Sequence, residues 1–388
     1  MAVEGTSRPS WAEIDRAALA ANAAEMAARV SPSVLCAVVK ADGYGHGAVT
    51  AARAFVEGGA TWLAVALVDE GIELRDALIS APILLLSEPP ASAMDAALQA
   101  RLTPTIATIA GAHACAEAAD RLGSLHRVHV KVDTGMHRMG AALDELPSLL
   151  RAIEEAEHLE VEGLWTHFAV ADEASEESRA FTALQLARFD EAVARAAELG
   201  VVPSVLHVAN SAAALALPAS RRTMVRCGLA LYGESPSRAV TEAAELESPL
   251  SLRPAMTIKA AVSAIHDVDE GERPSYGRRR PMPAAGRVAT VPIGYADGFP
   301  RSLFTAGHEV LIGGRRFPLA GTVTMDQILV DVGDSPVAVG DEVVLLGTQG
   351  DESITVGEWA RHLDTITWEV LCGIGPRVPR REVEGAQP

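Results

Sequence analysis

The sharpest chemical signal lies in ten residues, VVKADGYGHG, Val38 to Gly47. An apolar run ends in Lys40, and three glycines follow within five residues. Burying an ammonium is expensive, and desolvation lowers a lysine pKa and makes the amine nucleophilic. Lys40 is therefore either a lysine that snorkels to solvent at a strand end or one placed to form a Schiff base with a carbonyl group. KVDTGMHRMG, Lys131 to Gly140, follows a second apolar run and puts Arg138 in a Gly-flanked loop. A guanidinium there suits a carboxylate or phenolate in bidentate fashion, or it simply meets water. GLWTHFAVADE, Gly163 to Glu173, sets His167 at another strand end. HVANSAA, His207 to Ala213, opens a helix with Asn210 and Ser211. Both are cap residues, and the same geometry turns backbone N–H groups and a hydroxyl toward an anion such as phosphate. VRCGLALYG places Arg226 inside an apolar run with Gly228 close behind, where a glycine allows close backbone approach to a ligand. Nearer the C-terminus, PSYGRRR sets Tyr276 beside three arginines. Positive charge lowers a phenol pKa and can make it a base. IGYADGFPR (Ile293–Arg301) and TMDQ (Thr324–Gln327) complete the set.

These groups need elements to hold them. Short runs rich in Val, Ile and Leu recur at Val34–Val39, Trp62–Leu67, Ile83–Leu86, Thr103–Ala107, Val128–Val132, Val161–Phe168, Val205–Val208 and Met224–Leu231. Helix-like segments separate them, such as Ser175–Leu199 with Phe181, Leu184, Phe189, Ala192 and Ala196 at helical spacing. Eight buried strands alternating with helices predict parallel strands with crossover helices and match a (β/α)8 barrel; a doubly wound open sheet is the alternative. After Gly233 the texture changes. Ser235–Arg253, with Pro236 and Pro249, reads as irregular, and β-type segments follow at Met256–Ile265, Val288–Ile293, Glu309–Ile312, Ile328–Val332 and Glu342–Leu346. The expected class is α/β: an N-terminal barrel over residues 1–240 and a mainly β domain over 241–388.

The 388 residues suit two or three domains at roughly 100–200 residues each. Apolar residues make up 49% and charged residues 22%, the balance of a globular chain rather than a disordered or collagen-like one. Net charge is 33 − 51 = −18, which disfavours nucleic acid and anionic membrane surfaces as partners. Cys36, Cys115, Cys227 and Cys372 stand far apart with no CxxC pair, so no metal centre is expected and a reducing compartment, the cytoplasm, fits. The start, MAVEGTSRPSW, has no basic-then-apolar pattern of a secretory signal. Leu199–Ser220 lacks any Lys, Arg, Asp or Glu, but Pro203, His207, Asn210 and Pro218 argue for a buried strand and short helix rather than a membrane span.

Taken together and in order, the motifs are specific. With WAEIDRAALAANAA (Trp11–Ala24) and CGIGPRVPR (Cys372–Arg380) at the ends, the chain resembles the alanine racemases, which use pyridoxal 5′-phosphate (PLP), over nearly its whole length. The resemblance implies a (β/α)8 barrel followed by a β domain, with residues 1–14 joining the latter. It implies a head-to-tail homodimer in which each active site combines the barrel of one subunit with the β domain of the other. It implies Lys40 as the PLP-bearing lysine and Tyr276 as a second catalytic base on the opposite substrate face. Tyr44, Asn210, Ser211, Gly228 and Leu229 would bind the cofactor, chiefly its phosphate, and Arg226 would face the pyridine nitrogen. His167 would join a network linking Tyr276 and Arg226, Arg138 and Met325 would meet the substrate carboxylate, and Lys131 matches a position carbamylated in some members.

The implied activity is interconversion of L- and D-alanine, supplying D-alanine for peptidoglycan. Four departures bear on PLP affinity and pocket shape: Trp368 for a usual tyrosine, Thr324 for a usual cysteine, Cys227 for a usual proline and the lack of a usual aromatic residue just after Val378-Pro379-Arg380. They leave open a racemase for serine or another small amino acid, including one of secondary metabolism. A non-catalytic PLP-binding protein of a single barrel lacks the β domain and Tyr276. A PLP decarboxylase needs an acidic group where Arg226 stands.

Overall fold

The computed structural model describes residues 8–385; residues 1–7 of the N-terminal stretch considered above, and of the expected first domain, lie outside them. The chain divides into two compact units. One comprises Ala18–Gly43 and Ala48–Arg253; the other comprises the described residues through Ala17, Tyr44–Gly47 and the chain from Pro254.

Strand β1 (Ser10–Asp15) belongs to the second unit, and eight parallel strands form the first. They are β2 (Val34–Val38), β3 (Trp62–Val65), β4 (Ile83–Leu85), β5 (Thr105–Ile106), β6 (His126–Lys131), β7 (Leu159–Trp165), β8 (Val205–His207) and β9 (Met224–Cys227). They hydrogen-bond as two ladders, β4-β3-β2-β9 and β5-β6-β7-β8. A parallel bridge from Leu84 to Thr103 joins the ladders at one seam. At the other, Thr223 N donates to Leu206 O (3.1 Å) and Arg226 N to Ala209 O (3.0 Å). The strands are covered on both faces, which is why they read as unbroken apolar runs rather than alternating ones. The covering helices show the complementary pattern: Leu146–Glu154 buries Leu146, Leu149, Leu150 and Ile153. The long helix Glu176–Glu198 starts where Ser175 Oγ accepts from Ser178 N at 3.0 Å.

Three expectations change. Met224–Leu231 is not one strand: β9 stops at Cys227, and Leu229–Tyr232 is a 3-10 turn. The Gly228 N–H goes to Ser211 Oγ (3.0 Å) instead of continuing a ladder. Ser235–Arg253 is not irregular, since the helix Arg238–Glu247 occupies its middle and buries Val240 and Ala244. Pro236 and Pro249 flank that helix rather than break it, and the first unit runs on to Arg253, past residue 240. Met256–Ile265 is two strands of two different sheets, β10 (Met256–Ala261) and β11 (Ala264–Val268), because Val262 N turns to Asp341 O and Ser263 N to Thr290 O.

The second unit continues with β12 (Gly286–Val291), β13 (Glu309–Ile312), β14 (Arg315–Pro318), β15 (Ile328–Gly333), β16 (Glu342–Gln349), β17 (Glu352–Ile354) and β18 (Arg380–Val383). One sheet runs β14-β13-β16-β10-β1-β18 with β17 on β16, and the other runs β11-β12-β15. β1 pairs antiparallel with β10 and parallel with β18. Gly313 and Gly314, with φ +58° and +72°, make the tight turn between β13 and β14 that other residues resist. No helix among the described residues is long and apolar enough to cross a membrane.

Inside the barrel unit, fully buried Asn22 fastens the helix Arg16–Val30 to two distant loops. Its Nδ2 donates to Leu231 O (3.2 Å) and Arg253 O (2.8 Å), and its Oδ1 accepts from Arg253 N (2.8 Å). Asn22→Ala strands three backbone groups, and urea denaturation is expected to show a loss of about 2–4 kcal/mol.

Candidate active site

The ends of the barrel strands bring cations together. β6 carries His129 and Lys131 on one face, two residues apart, and the register sets Lys131, Trp165 and His207 side by side across β6, β7 and β8. Lys131 Nζ lies 4.4 Å and the Arg226 guanidinium 4.5 Å from the Trp165 ring centroid, so the indole takes two cations on its π system. Burial lowers the Lys131 pKa to about 7, helped by the positive charges of Arg226, Arg138 and Lys40 and opposed by Asp133. The same cations act on His167, whose pKa falls well below its usual value through burial first, then Arg226, Arg138, Lys131 and Lys40. Lys40, Lys131, Arg138, His167 and Arg226 are thus one electrostatic neighbourhood, and the imidazole in it is neutral.

Arg226 is 3% exposed. Burial brings its pKa down to about 10, which leaves it charged at neutral pH. Its donors go to neutral acceptors: Nη1 to His207 Nδ1 (2.9 Å) and His207 O (3.0 Å), Nη2 to Thr166 O (2.8 Å), Val208 O (3.3 Å) and His167 Nδ1 (3.2 Å). Because Arg226 can only donate, His207 Nδ1 must accept and its proton sits on Nε2. That proton faces His129 Nδ1 at 2.8 Å, so the His129 proton sits on Nε2, 3.4 Å from Glu162 Oε2. Desolvation lowers both histidine pKa values, and the positive Arg226 adds to the effect.

Below this row, His129 occupies the space beside Gly163. A Cβ at Gly163 would sit 2.5 Å from the imidazole, closer than real contacts allow. The Arg138 loop is shaped locally: Asp133 Oδ1 accepts from Gly135 N (2.9 Å) and His137 N (3.1 Å), and Gly140, at φ +141°, leaves no room for a Cβ against Asp133 N. Arg138 itself is exposed.

A second cluster lies where β8 and β9 end. Asn210 Oδ1 accepts from Ala213 N (3.0 Å) at the start of the helix Ser211–Ala216. Ser211 Oγ accepts from Gly228 N, which ties that helix start to the 3-10 turn opened by Leu229. The Cys227 thiol also hydrogen-bonds Ser211, and burial pushes its pKa up to about 12, so it is a neutral neighbour. Tyr232 at the end of the turn donates to Val38 O (3.0 Å), two residues before Lys40.

Lys40 is half-buried and opens an unusual stretch. Ala41, Asp42, Gly43 and Tyr44 all have φ between +51° and +58°, a turn of left-handed helix. Each non-glycine residue held there costs about 1–2 kcal/mol. Tyr44, buried, is grouped with the β unit. Gly45 sits against Leu371 O, where a Cβ would come within 2.4 Å, and Arg380 Nε donates to Gly45 O (2.9 Å).

Tyr276 and Met325 stand in the β unit, 72% and 52% exposed. Tyr276 rides on a loop with φ of +67° at Ser275 and +73° at Gly277, pinned by Ser275 Oγ to Thr322 O (2.6 Å) and Arg280 Nη1 to Leu319 O (2.7 Å). Thr324 closes the Met325 turn through Gln327, which accepts at its carbonyl (2.8 Å) and donates from its amide (3.1 Å). Gly294 packs so tightly on Thr324 and Met325 carbonyls that a Cβ would lie 2.3 Å away. Trp368 is half-buried on the helix Thr367–Cys372. Also in this unit, His308 and His362 share a 2.9 Å Nδ1–Nδ1 contact beside Glu358, whose oxygens both accept from Arg316 (2.9 and 3.0 Å). His308 Nε2 is buried there without a hydrogen-bond partner.

Sequence reasoning passes over Glu70, His129, Glu162 and Gly163, and gives His207 no role. The signal for His129 is its spacing from Lys131, with Val128 and Val130 on either side, which puts both polar residues on one face of the strand. Gly163→Ala is expected to force the His129 ring aside, costing about 1–3 kcal/mol of stability by chemical denaturation.

The model of the alanine racemase N-terminal domain matches residues 14–236, and that of the C-terminal domain matches residues 255–382. The alanine racemase of Symbiobacterium thermophilum is 44% identical over 374 residues, covering 96% of this chain and 97% of its own. The structure of alanine racemase from D-cycloserine-producing Streptomyces lavendulae superposes with a TM-score of 0.90 at 38% identity, over 98% of each chain. That of the Bacillus anthracis alanine racemase with bound L-Ala-P gives a TM-score of 0.91 at 36% identity, over 98% of this chain and 97% of that one. Both domains, in order and over nearly the full length, place the chain in the alanine racemase family of isomerases.

Proposed function

We propose that this chain is a cytoplasmic PLP-dependent alanine racemase that interconverts L- and D-alanine with Lys40 and Tyr276 as its two bases, and so supplies D-alanine for peptidoglycan. The observation that carries the reading is the buried Arg226, held entirely by neutral acceptors beside Lys40, Lys131 and Arg138.

The donor set fits PLP. A cluster of cations suits a phosphorylated, phenolic ligand and a substrate carboxylate. The helix start at Asn210–Ser211, with the turn at Gly228–Leu229, suits a phosphate. Lys40 would hold the cofactor covalently through Nζ. PLP, when bound, supplies the electron sink that makes an amino-acid Cα–H acidic. Arg226 would donate to the ring nitrogen and has no proton to surrender, so it would favour that nitrogen unprotonated. A decarboxylase would want a carboxylic acid there, and Arg226 speaks against that alternative. Arg138 and the Met325 N–H would orient the substrate carboxylate.

Inversion needs one base on each face of Cα. Lys40 would take or return the proton of the D-antipode and Tyr276 that of the L-antipode. Tyr276, exposed on a loop braced within its own unit, would be supplied by a second copy of the chain in a homodimer. The neutral His167, within reach of Arg226, would hold the hydrogen-bond network that reaches Tyr276.

Proton NMR in deuterated water, with PLP and L-alanine, L-serine or L-lysine in turn, tests the reading. Loss of the Cα–H signal with loss of optical purity is expected for alanine. Faster exchange with serine would move the assignment to another small amino acid, and no exchange with any of them overturns racemisation in favour of simple PLP binding. Tyr276→Phe is expected to lower racemisation by about 10²–10⁴-fold while still washing deuterium into D-alanine.

Lys131, with a pKa near 7, is largely an uncharged amine at pH 8. An uncharged amine adds CO2 and releases one proton, which would turn Lys131 into a carbamate anion among the neighbouring cations, Arg138 included. A carbamate resonance is expected in 13C NMR with labelled bicarbonate at pH 8, fading as pH falls below 7 and absent in Lys131→Ala.

A further inference from the structure

We propose that Glu70 is a positioning residue for Lys40, acting by locking the left-handed turn through which the chain leaves that lysine. The proposal rests on Lys40 being a base, as argued above. Glu70 occupies the third position of the helix Val68–Asp76. Its Oε2 accepts from Ala66 N (2.8 Å) and Leu67 N (3.0 Å), which caps the helix at the end of β3. A cap needs nothing more. Yet Oε1 reaches a segment 29 residues earlier and accepts from Ala41 N at 2.7 Å. One carboxylate therefore ties the residue that follows Lys40 to the mouth of the neighbouring barrel strand.

The far end of the turn has its own restraints. Gly43 N donates to Val39 O (2.9 Å), and Ala48 N donates to Asp42 Oδ1 (2.9 Å). A Cβ at Gly43 would come within 3.1 Å of Ala51 Cβ and 3.3 Å of the Ala48 backbone, so that end sits on a packed floor. The near end, at Ala41, has φ +54° in a residue that L-stereochemistry steers toward the right-handed region. Glu70 supplies the charge-assisted bond that holds it. Without that bond Ala41 is free to leave the left-handed region, and the Lys40 side chain turns with it. A base acts only within hydrogen-bond reach of its proton.

Glu70→Gln keeps the size of the side chain but turns an NH2 toward amides that can only donate; Glu70→Ala removes both oxygens. Hydrogen exchange by mass spectrometry on the full chain is expected to show protection across residues 39–47 falling several-fold or more while the helix Ser211–Ala216 is unchanged. With PLP and alanine, kcat should fall about tenfold or more with little change in KM, as expected for a misplaced base. The α-deuterium isotope effect should grow with D-alanine and not with L-alanine, since only the Lys40 proton transfer has become harder.

Wild-type exchange across 39–47 in Glu70→Gln, or a loss of kcat with wild-type isotope effects for both antipodes, overturns the proposal. If the wild-type chain exchanges no alanine Cα–H, the racemase reading fails instead. Exchange at 39–47, together with the rate at which borohydride traps PLP on Lys40, then still decides whether Glu70 sets that lysine.

Discussion

A guanidinium buried in a barrel without a carboxylate beside it dictates much of the surrounding design. Removing a charge from water is expensive unless its donors are met, and around Arg226 they are met by carbonyls and imidazoles alone. A carboxylate counter-ion would have neutralised the site. Instead the charge is left to act outward on Lys131 and His167, and it forces a single proton arrangement on His207 and His129. Only at the far end, beyond two neutral rings, does Glu162 appear. The glycine at 163 follows from the same demand, because a bulky imidazole can stand on β6 only if its neighbour on β7 has no side chain. A charge at one end of the barrel thus specifies a missing methyl group two strands away.

Left-handed backbone flanks both proposed bases. The residues after Lys40 run left-handed, and Ser275 and Gly277 around Tyr276 have positive φ. Such conformations persist only where neighbours over-determine them. Here those neighbours are a distant carboxylate, tight glycine contacts and loop-to-loop hydrogen bonds. Pre-organisation of this kind is what a reaction with two bases on opposite faces of one atom requires, since neither base has slack to search for its proton.

Much of this was legible in the residues. The eight apolar runs locate the eight barrel strands because parallel strands buried on both faces leave no polar alternation to confuse them. The motifs bearing Lys40, Arg138, His167 and Ser211 stand at strand ends or the loops after them, as their position after apolar runs suggested, and Arg226 lies within β9, as its place inside an apolar run suggested. What stayed hidden depends on partners distant in sequence. Strand β9 ends early because Ser211 takes the Gly228 amide, and Met256–Ile265 splits because Val262 and Ser263 bond to segments that no local pattern reveals. The helix Arg238–Glu247 was masked by prolines that turned out to delimit it. Glu70 looks like an ordinary capping residue until its second oxygen is seen on Ala41.

The placement of β1 ties the two ends of the chain into one sheet, with β10 on one side and β18 on the other. On a ribosome, the first strand must wait for both partners. At about 5–20 residues per second, the roughly 240 residues between β1 and β10 keep it waiting on the order of 10–50 s, and β18 emerges about 120 residues after β10. The barrel is complete long before then. Synthesis therefore imposes an order on the molecule: the barrel closes early, while the sheet that begins with β1 stays open, its first strand unpaired, until β10 and then β18 have emerged.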